Sequence, residues 1–174
     1  MRPNQVKPTK MAALKQFVSD VNRGDHDFLL VDLPPGTSDE PISVAQLISG
    51  LDGAIIVTTP QEVALLDSRK AVNMFLMMNV PMLGIVENMS GLICPHCGER
   101  IEVFKTGGLE KAAEELDVPF LGAIPMDAEI GRLGDMGQTF AKNETLAAKA
   151  FDKIMGAILA RLSGSDAPSL DQNL

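Results

Sequence analysis

The chain has 174 residues, a formal net charge of −8 at neutral pH, and neither tryptophan nor tyrosine. The acid excess argues against a phosphate-backbone binder, which needs a basic face, and the missing stacking side chains point away from single-stranded nucleic acid. Hydrophobic residues make up 45%, enough for one buried core, so a single α/β domain over residues 1–162 is expected, with a polar, disordered tail over 163–174.

No run reaches the roughly 18 apolar residues of a membrane span. The N-terminal Met-Arg-Pro-Asn-Gln-Val-Lys-Pro has no apolar segment behind its charges, unlike a secretory signal. The expected setting is cytoplasmic, with no membrane and no nucleic-acid partner. There, two cysteines spaced C-x-x-C suggest metal or redox chemistry rather than a structural disulfide.

Residues 9–23 predict a helix, with Met11, Leu14, Phe17, Val18 and Val21 at helical spacing and Gly24 as its stop. Phe28-Leu29-Leu30-Val31 is a short apolar run followed at once by Asp32, the pattern of a strand buried on both faces. Residues 41–50 predict a helix with Pro41 early and Gly50 near its end. Ala54 to Thr59 predicts a strand stopped by Pro60. Residues 61–78 form the clearest helix, with Val63, Leu66, Val72, Phe75 and Leu76 as its apolar face. Met82–Val86 predicts a third strand, residues 107–116 a helix, Pro119–Ile124 a fourth strand, and residues 144–162 a last helix.

Strands alternating with helices predict a parallel sheet flanked by helices, joined by right-handed crossovers. No internal repeat is evident. Ligands of such sheets bind at the carboxyl ends of the strands. Asp32, Thr59-Pro60, Asn88 and Pro125–Asp127 each follow a predicted strand, so they are expected on one rim.

Val31-Asp32-Leu33-Pro34-Pro35-Gly36-Thr37 is the most informative segment. An acid at a strand end suits a Mg²⁺-bound water, two prolines stiffen the turn, and Gly36 lets a backbone N–H approach an anion. A plain strand followed by a tight proline turn also accounts for it. Further on come Thr59-Pro60-Gln61-Glu62-Val63-Ala64-Leu65, Asp67-Ser68-Arg69-Lys70, Gly84-Ile85-Val86-Glu87-Asn88-Met89-Ser90, Cys94-Pro95-His96-Cys97-Gly98 and Ile124-Pro125-Met126-Asp127.

Taken in this order, the series resembles the Mrp/ApbC-type iron–sulfur cluster carrier ATPases, a branch of the MinD/ParA-like P-loop family. The resemblance covers residues from about 12 to 140. It implies a carrier that delivers clusters to apo iron–sulfur proteins, linked to ATP and Mg²⁺ in complete relatives. It implies Asp32 as the switch acid near Mg²⁺, Gly36 as the γ-phosphate sensor, Asn88 at the adenine edge and the Pro125–Asp127 loop beside the base. Each role has a plainer counterpart: Asn88 as a strand-end cap and Asp127 as a helix N-cap. One departure matters most. Such families carry a Gly-Lys-Ser/Thr loop, and no lysine in this sequence follows a glycine. The phosphate-binding loop and the first strand of the family fold are therefore expected to be missing. The chain alone should not act as an ATPase, and it is expected to be a piece, a split half or a degenerate homologue that pairs with a complete subunit.

The resemblance implies that Cys94 and Cys97 ligate an iron–sulfur cluster of the 4Fe-4S kind. Two thiolates are half of a four-ligand shell. A four-cysteine site then needs two chains, which predicts a homodimer bridged by the cluster. Two other readings stay open. Cys-Pro-His-Cys-Gly is also a zinc-knuckle sequence, with His96 as a solvent-facing spacer. Cys-Pro-His-Cys also matches a dithiol redox pair, although those pairs open helices and Ile101–Phe104 alternates like a strand. Of the weaker signals, His26 reads as a solvated turn residue, and Asp67 with Arg69-Lys70 as a surface charge pair. The apolar stripe of the last helix is expected to dock on the core rather than on a membrane.

Overall fold

The computed structural model describes residues 10–22, 24–34, 39–48, 50–94, 96–104 and 107–164. They divide into two compact units, the first ending at Leu51 and the second starting at Asp52. The expected tail beyond Gly164 lies outside the described residues.

In the first unit, α1 (Lys10–Ser19) packs on α2 (Asp39–Leu47). Val44 and Ser43 are buried in α2. α1 stops at Ser19, short of the predicted Gly24, where the Ser19 hydroxyl donates to Lys15 O at 2.8 Å. The predicted strand Phe28–Val31 does not form. Its residues have no ladder and all four are exposed, Leu30 to 85%. An apolar run becomes a strand only when a neighbour supplies ladder bonds, and no described residue does so here.

The second unit is built on a four-stranded sheet. β1 (Ala54–Thr58) and β4 (Phe120–Met126) flank β2 (Met82–Ile93), and both pair with it in parallel. The short β3 (Arg100–Ile101) pairs with the far end of β2 antiparallel. The sheet is therefore mixed, and β2 runs well past the predicted end at Val86. Its continuous apolar run buries both faces because alternate residues serve different helices. Val86 joins Leu121, Ile124, Ile154 and Ile158 under α6 (Leu146–Leu162). Ile85 joins Val72 of α3 (Glu62–Met77) and Leu109 of α4 (Gly108–Glu115). Each such large apolar side chain contributes about 1.5–3 kcal/mol by leaving water. The stripe of α6 thus docks on the sheet, as expected. The face assigned to α3 is partly wrong: Val72 and Phe75 are buried, but Val63 is 73% exposed and Leu66 and Leu76 are also outward.

An internal repeat that is faint in the sequence is plain in the structure. Asn79-Val80-Pro81-Met82-Leu83-Gly84 and Asp117-Val118-Pro119-Phe120-Leu121-Gly122 build the same helix-to-strand joint. Asn79 and Asp117 take left-handed backbone, φ 57° and 52°, and close α3 and α4. Val80 and Val118 N–H then donate back to Phe75 O and Ala113 O, each at 3.0 Å. Each proline carbonyl accepts from the next strand: Pro81 O from Ala54 N–H and Pro119 O from Ile85 N–H, both at 2.8 Å. Glycine is required where these joints meet their neighbours. A Cβ on Gly84 would lie 2.6 Å from Leu121 Cγ and 2.6 Å from Pro119 O, and its φ is +151°.

Gly84→Ala should therefore lower unfolding free energy by about 3 kcal/mol, the scale of a severe core overpacking. Urea unfolding followed by circular dichroism reads this directly. A loss under about 0.5 kcal/mol, the level of an ordinary surface change, would contradict the interlock.

Candidate metal centre and nucleotide rim

Strand β2 carries the candidate site. Its register pairs Glu87 with Thr58 on one side and Ala123 on the other. The next residues along the three strands are Thr59, just past β1, and Asn88 and Ile124, which pair within β2 and β4. Pro125 and Met126 still belong to β4, so only Asp127 lies beyond it.

Asn88 is half-buried, and its Oδ1 accepts from the Met89 N–H at 2.9 Å. That bond supports the left-handed backbone of Met89, φ 59°, inside β2, so Asn88 does not cap a strand end as expected. Asp127 Oδ1 accepts from Glu129 N–H at 2.9 Å and caps α5 (Ala128–Asp135), also as expected. Asp32 belongs to the first unit, where it is exposed and outside any strand. Gly36 lies outside the described residues.

Past Asn88, β2 bulges. Asn88 pairs with Ile124 and Leu92 with Met126, so Met89, Ser90 and Gly91 stand opposite Pro125 alone. Proline has no N–H, so the ladder is weakest at this point and tolerates extra residues. Beyond the bulge, Leu92 and Ile93 pair with Ile101 and Arg100. The cysteines sit at the tip of this hairpin. Cys94 N–H donates to Glu99 O and Gly98 N–H to Cys94 O, both at 2.9 Å, with Gly98 at φ +74°. This is a closed knuckle held by its own backbone.

The knuckle tunes its first sulfur. Backbone N–H donation from Cys97, then from His96, then the Cys97 side chain, holds the Cys94 thiol below its usual range, against a smaller opposing effect of burial. Cys94 is half-buried and Cys97 exposed. Amide donors facing a sulfur stabilise its thiolate, the form that binds metal. Among the described residues, no group of three or more His, Cys, Asp or Glu side chains gathers as a ligand set. The knuckle thus brings two cysteine side chains to one hairpin tip, Cys94 half-buried and Cys97 exposed.

Three residues nearby escaped the sequence reading. Glu87 is 3% exposed in the middle of the sheet and Ser90 is buried in the bulge. Arg100 reaches Ser90 from β3. An acid at a strand end was the only sequence signal for Glu87. The other two depend on the bulge, which leaves no pattern in the sequence. Of the surface charges, Lys70 Nζ meets Asp67 Oδ1 at 3.1 Å, while Arg69 pairs with Glu115 of α4.

Residues 6–159 match the family described as ParA, the NUBPL iron-transfer P-loop NTPases. The chain belongs to this family. Among curated relatives of the iron-transfer NTPases, the iron-sulfur cluster carrier protein of Methanocaldococcus jannaschii is 46% identical over 157 residues, 90% of this chain and 54% of the relative. That of Pyrococcus abyssi is 52% identical over 151 residues, 86% of this chain and 51% of the relative. The chain spans about half the length of these relatives. An Archaeoglobus fulgidus nucleotide-binding protein solved with ADP matches with a TM-score of 0.66 at 39% identity, over 74% of this chain and 52% of that one. Pyrococcus horikoshii MinD with Mg-ADP matches with a TM-score of 0.62 at 27% identity, over 91% and 58%. The α/β fold is that of MinD-like P-loop NTPases.

The lowered thiol generates a pH prediction. A depressed pKa keeps the thiolate populated to lower pH, so alkylation of Cys94 by iodoacetamide should reach half its limiting rate below the pH of an unstructured Cys-Pro-His-Cys peptide. Peptide-resolved mass spectrometry across a pH series checks it, and coincident midpoints would show that the knuckle donors have no effect on Cys94.

Proposed function

We propose that this iron-transfer NTPase chain is a carrier of iron–sulfur clusters, holding its cargo through Cys94 and Cys97 and passing it to apo iron–sulfur proteins. The observation that carries the reading is the backbone-closed knuckle, whose amides lower the Cys94 thiol. The thiolate is the ligand form such clusters require. The exposed hairpin tip suits a cargo that must be handed on, because a recipient's cysteines must reach the iron. The curated carriers among its relatives support the same reading.

The arrangement in the proposal is a homodimer. One chain brings two thiolates, so a second copy supplies the other pair and a 4Fe-4S cluster bridges them. In the proposal nucleotide belongs at the rim of Asn88 and Asp127; the phosphate and Mg²⁺ roles of Asp32 and Gly36 rest on the family resemblance alone. Asn88 lies on β2 and Cys94 directly follows its last residue, Ile93, so a ligand at the rim and a cluster at the tip pull on the same backbone. The same knuckle would hold zinc through the same thiolates, so metal content decides between them. No described helix is long and apolar enough to cross a membrane.

Anaerobic reconstitution with iron and sulfide should give a brown dimer with about half a cluster per chain. Cys94→Ser should lose the colour while keeping its circular dichroism. Tightly bound zinc without colour would replace the carrier reading with a zinc knuckle, and a metal-free dimer indifferent to Cys94→Ser would make the chain an interaction subunit. Without a Gly-Lys step in its sequence, this chain should show no saturable ATP binding below roughly millimolar, because the loop's amides and lysine hold the phosphates. Calorimetric titration reads that, and micromolar binding would refute it.

A further inference from the structure

Arg100 stands at the root of the cysteine hairpin. Its backbone pairs with Ile93, the residue before Cys94. Its side chain turns back across β2, where Nη2 lies 3.3 Å from Ser90 O and 3.3 Å from Ser90 Oγ. One guanidinium therefore donates to two oxygens of a single buried residue in the stretch where the ladder to β4 is broken. Gly91 makes room for this crossing. A Cβ there would lie 3.3 Å from Arg100 Nε and 3.3 Å from Ile101 O, and its φ is +75°.

We infer that Arg100 is a positioning residue: by clasping Ser90 it fixes the direction in which the hairpin leaves the sheet and so the place where Cys94 and Cys97 meet a partner's thiolates. This rests on the reading of the cysteine pair as a metal site. The two long bonds are individually modest. They count because a bulge has few others, and because a charged donor strengthens each. The clasp grips β2 two residues after Asn88 and four before Cys94. It therefore sits on the shortest route between the nucleotide rim and the thiols. Both bonds come from Nη2 alone, so a lysine would keep the charge and lose only the reach and orientation of the guanidinium.

The test uses the whole chain as wild type, R100Q, R100K, S90A and the R100Q/S90A double variant. Amide hydrogen exchange over Leu92–Ile93 and Arg100–Ile101 should quicken about tenfold in R100Q, the scale of one charge-assisted hydrogen bond, with exchange in the α6 core unchanged. R100K should fall between R100Q and wild type. S90A should have a smaller effect, and the double variant should be no worse than R100Q, because both changes remove the same contact. The Cys94 alkylation midpoint should not move, since the donors that set it lie within the knuckle. Affinity for Co²⁺, read from the intensity of its thiolate charge-transfer band, should fall about tenfold in R100Q.

Unchanged hairpin exchange in R100Q overturns the clasp. Exchange that quickens equally in hairpin and core also overturns it, because that is the mark of a general structural role. Quickened hairpin exchange with wild-type cobalt affinity overturns the claim that the clasp positions the thiols. A wild-type protein that takes up no Co²⁺ defeats the metal reading instead, whereas the exchange contrast still judges the clasp.

Discussion

Strand β2 must satisfy two demands that ordinary strand geometry sets against each other. Its first half is hydrogen-bonded on both sides, to β1 and to β4, and has no freedom to move. Its far end must leave that sheet and carry two thiols where another molecule can reach them. The bulge at Met89, Ser90 and Gly91 reconciles the two. It falls opposite Pro125, the one position in β4 with no N–H to lose. Asn88 supports the left-handed turn that opens the bulge, and Gly91 takes the one that closes it.

The consequence is electrostatic as well as geometric. Once the chain is free of the sheet it closes a six-residue hairpin end, Cys94 to Glu99, on its own backbone bonds. The amide groups of His96 and Cys97 face the first sulfur and favour its charged form. In the proposed carrier, two ligands per chain would fill half of a four-ligand shell.

The repeated helix-to-strand joints tie the strands of this small sheet to one another. Each joint sets its proline carbonyl against a backbone N–H of the adjacent strand and its leucine against a glycine beside it, Leu83 on Gly53 and Leu121 on Gly84. Parallel strands lack tight turns to fix their register. Here the register shifts just past each joint, between Ala54 and Ile55 and between Ile85 and Val86, and then aligns Glu87 with Thr58 and Ala123.

Much of this was legible in the amino-acid sequence alone. Apolar runs of four to six residues between helical patterns located β1, β2 and β4, because burial on both faces demands them. Asp127 before an amphipathic segment announced the cap of α5, and the Cys94–Cys97 spacing announced the knuckle. Those are local signals, carried by residues next to one another. The apolar run Phe28–Val31 has the same local signal and is no strand, because pairing needs a partner that the run itself cannot supply. The outward face of α3 was misassigned because several phases of a mostly apolar helix fit its sequence equally well, and only the sheet selects one. The bulge, the mixed sheet and the grip of Arg100 on Ser90 were decided by tertiary structure alone, since each is a fact of register between strands and register joins residues that the sequence keeps apart.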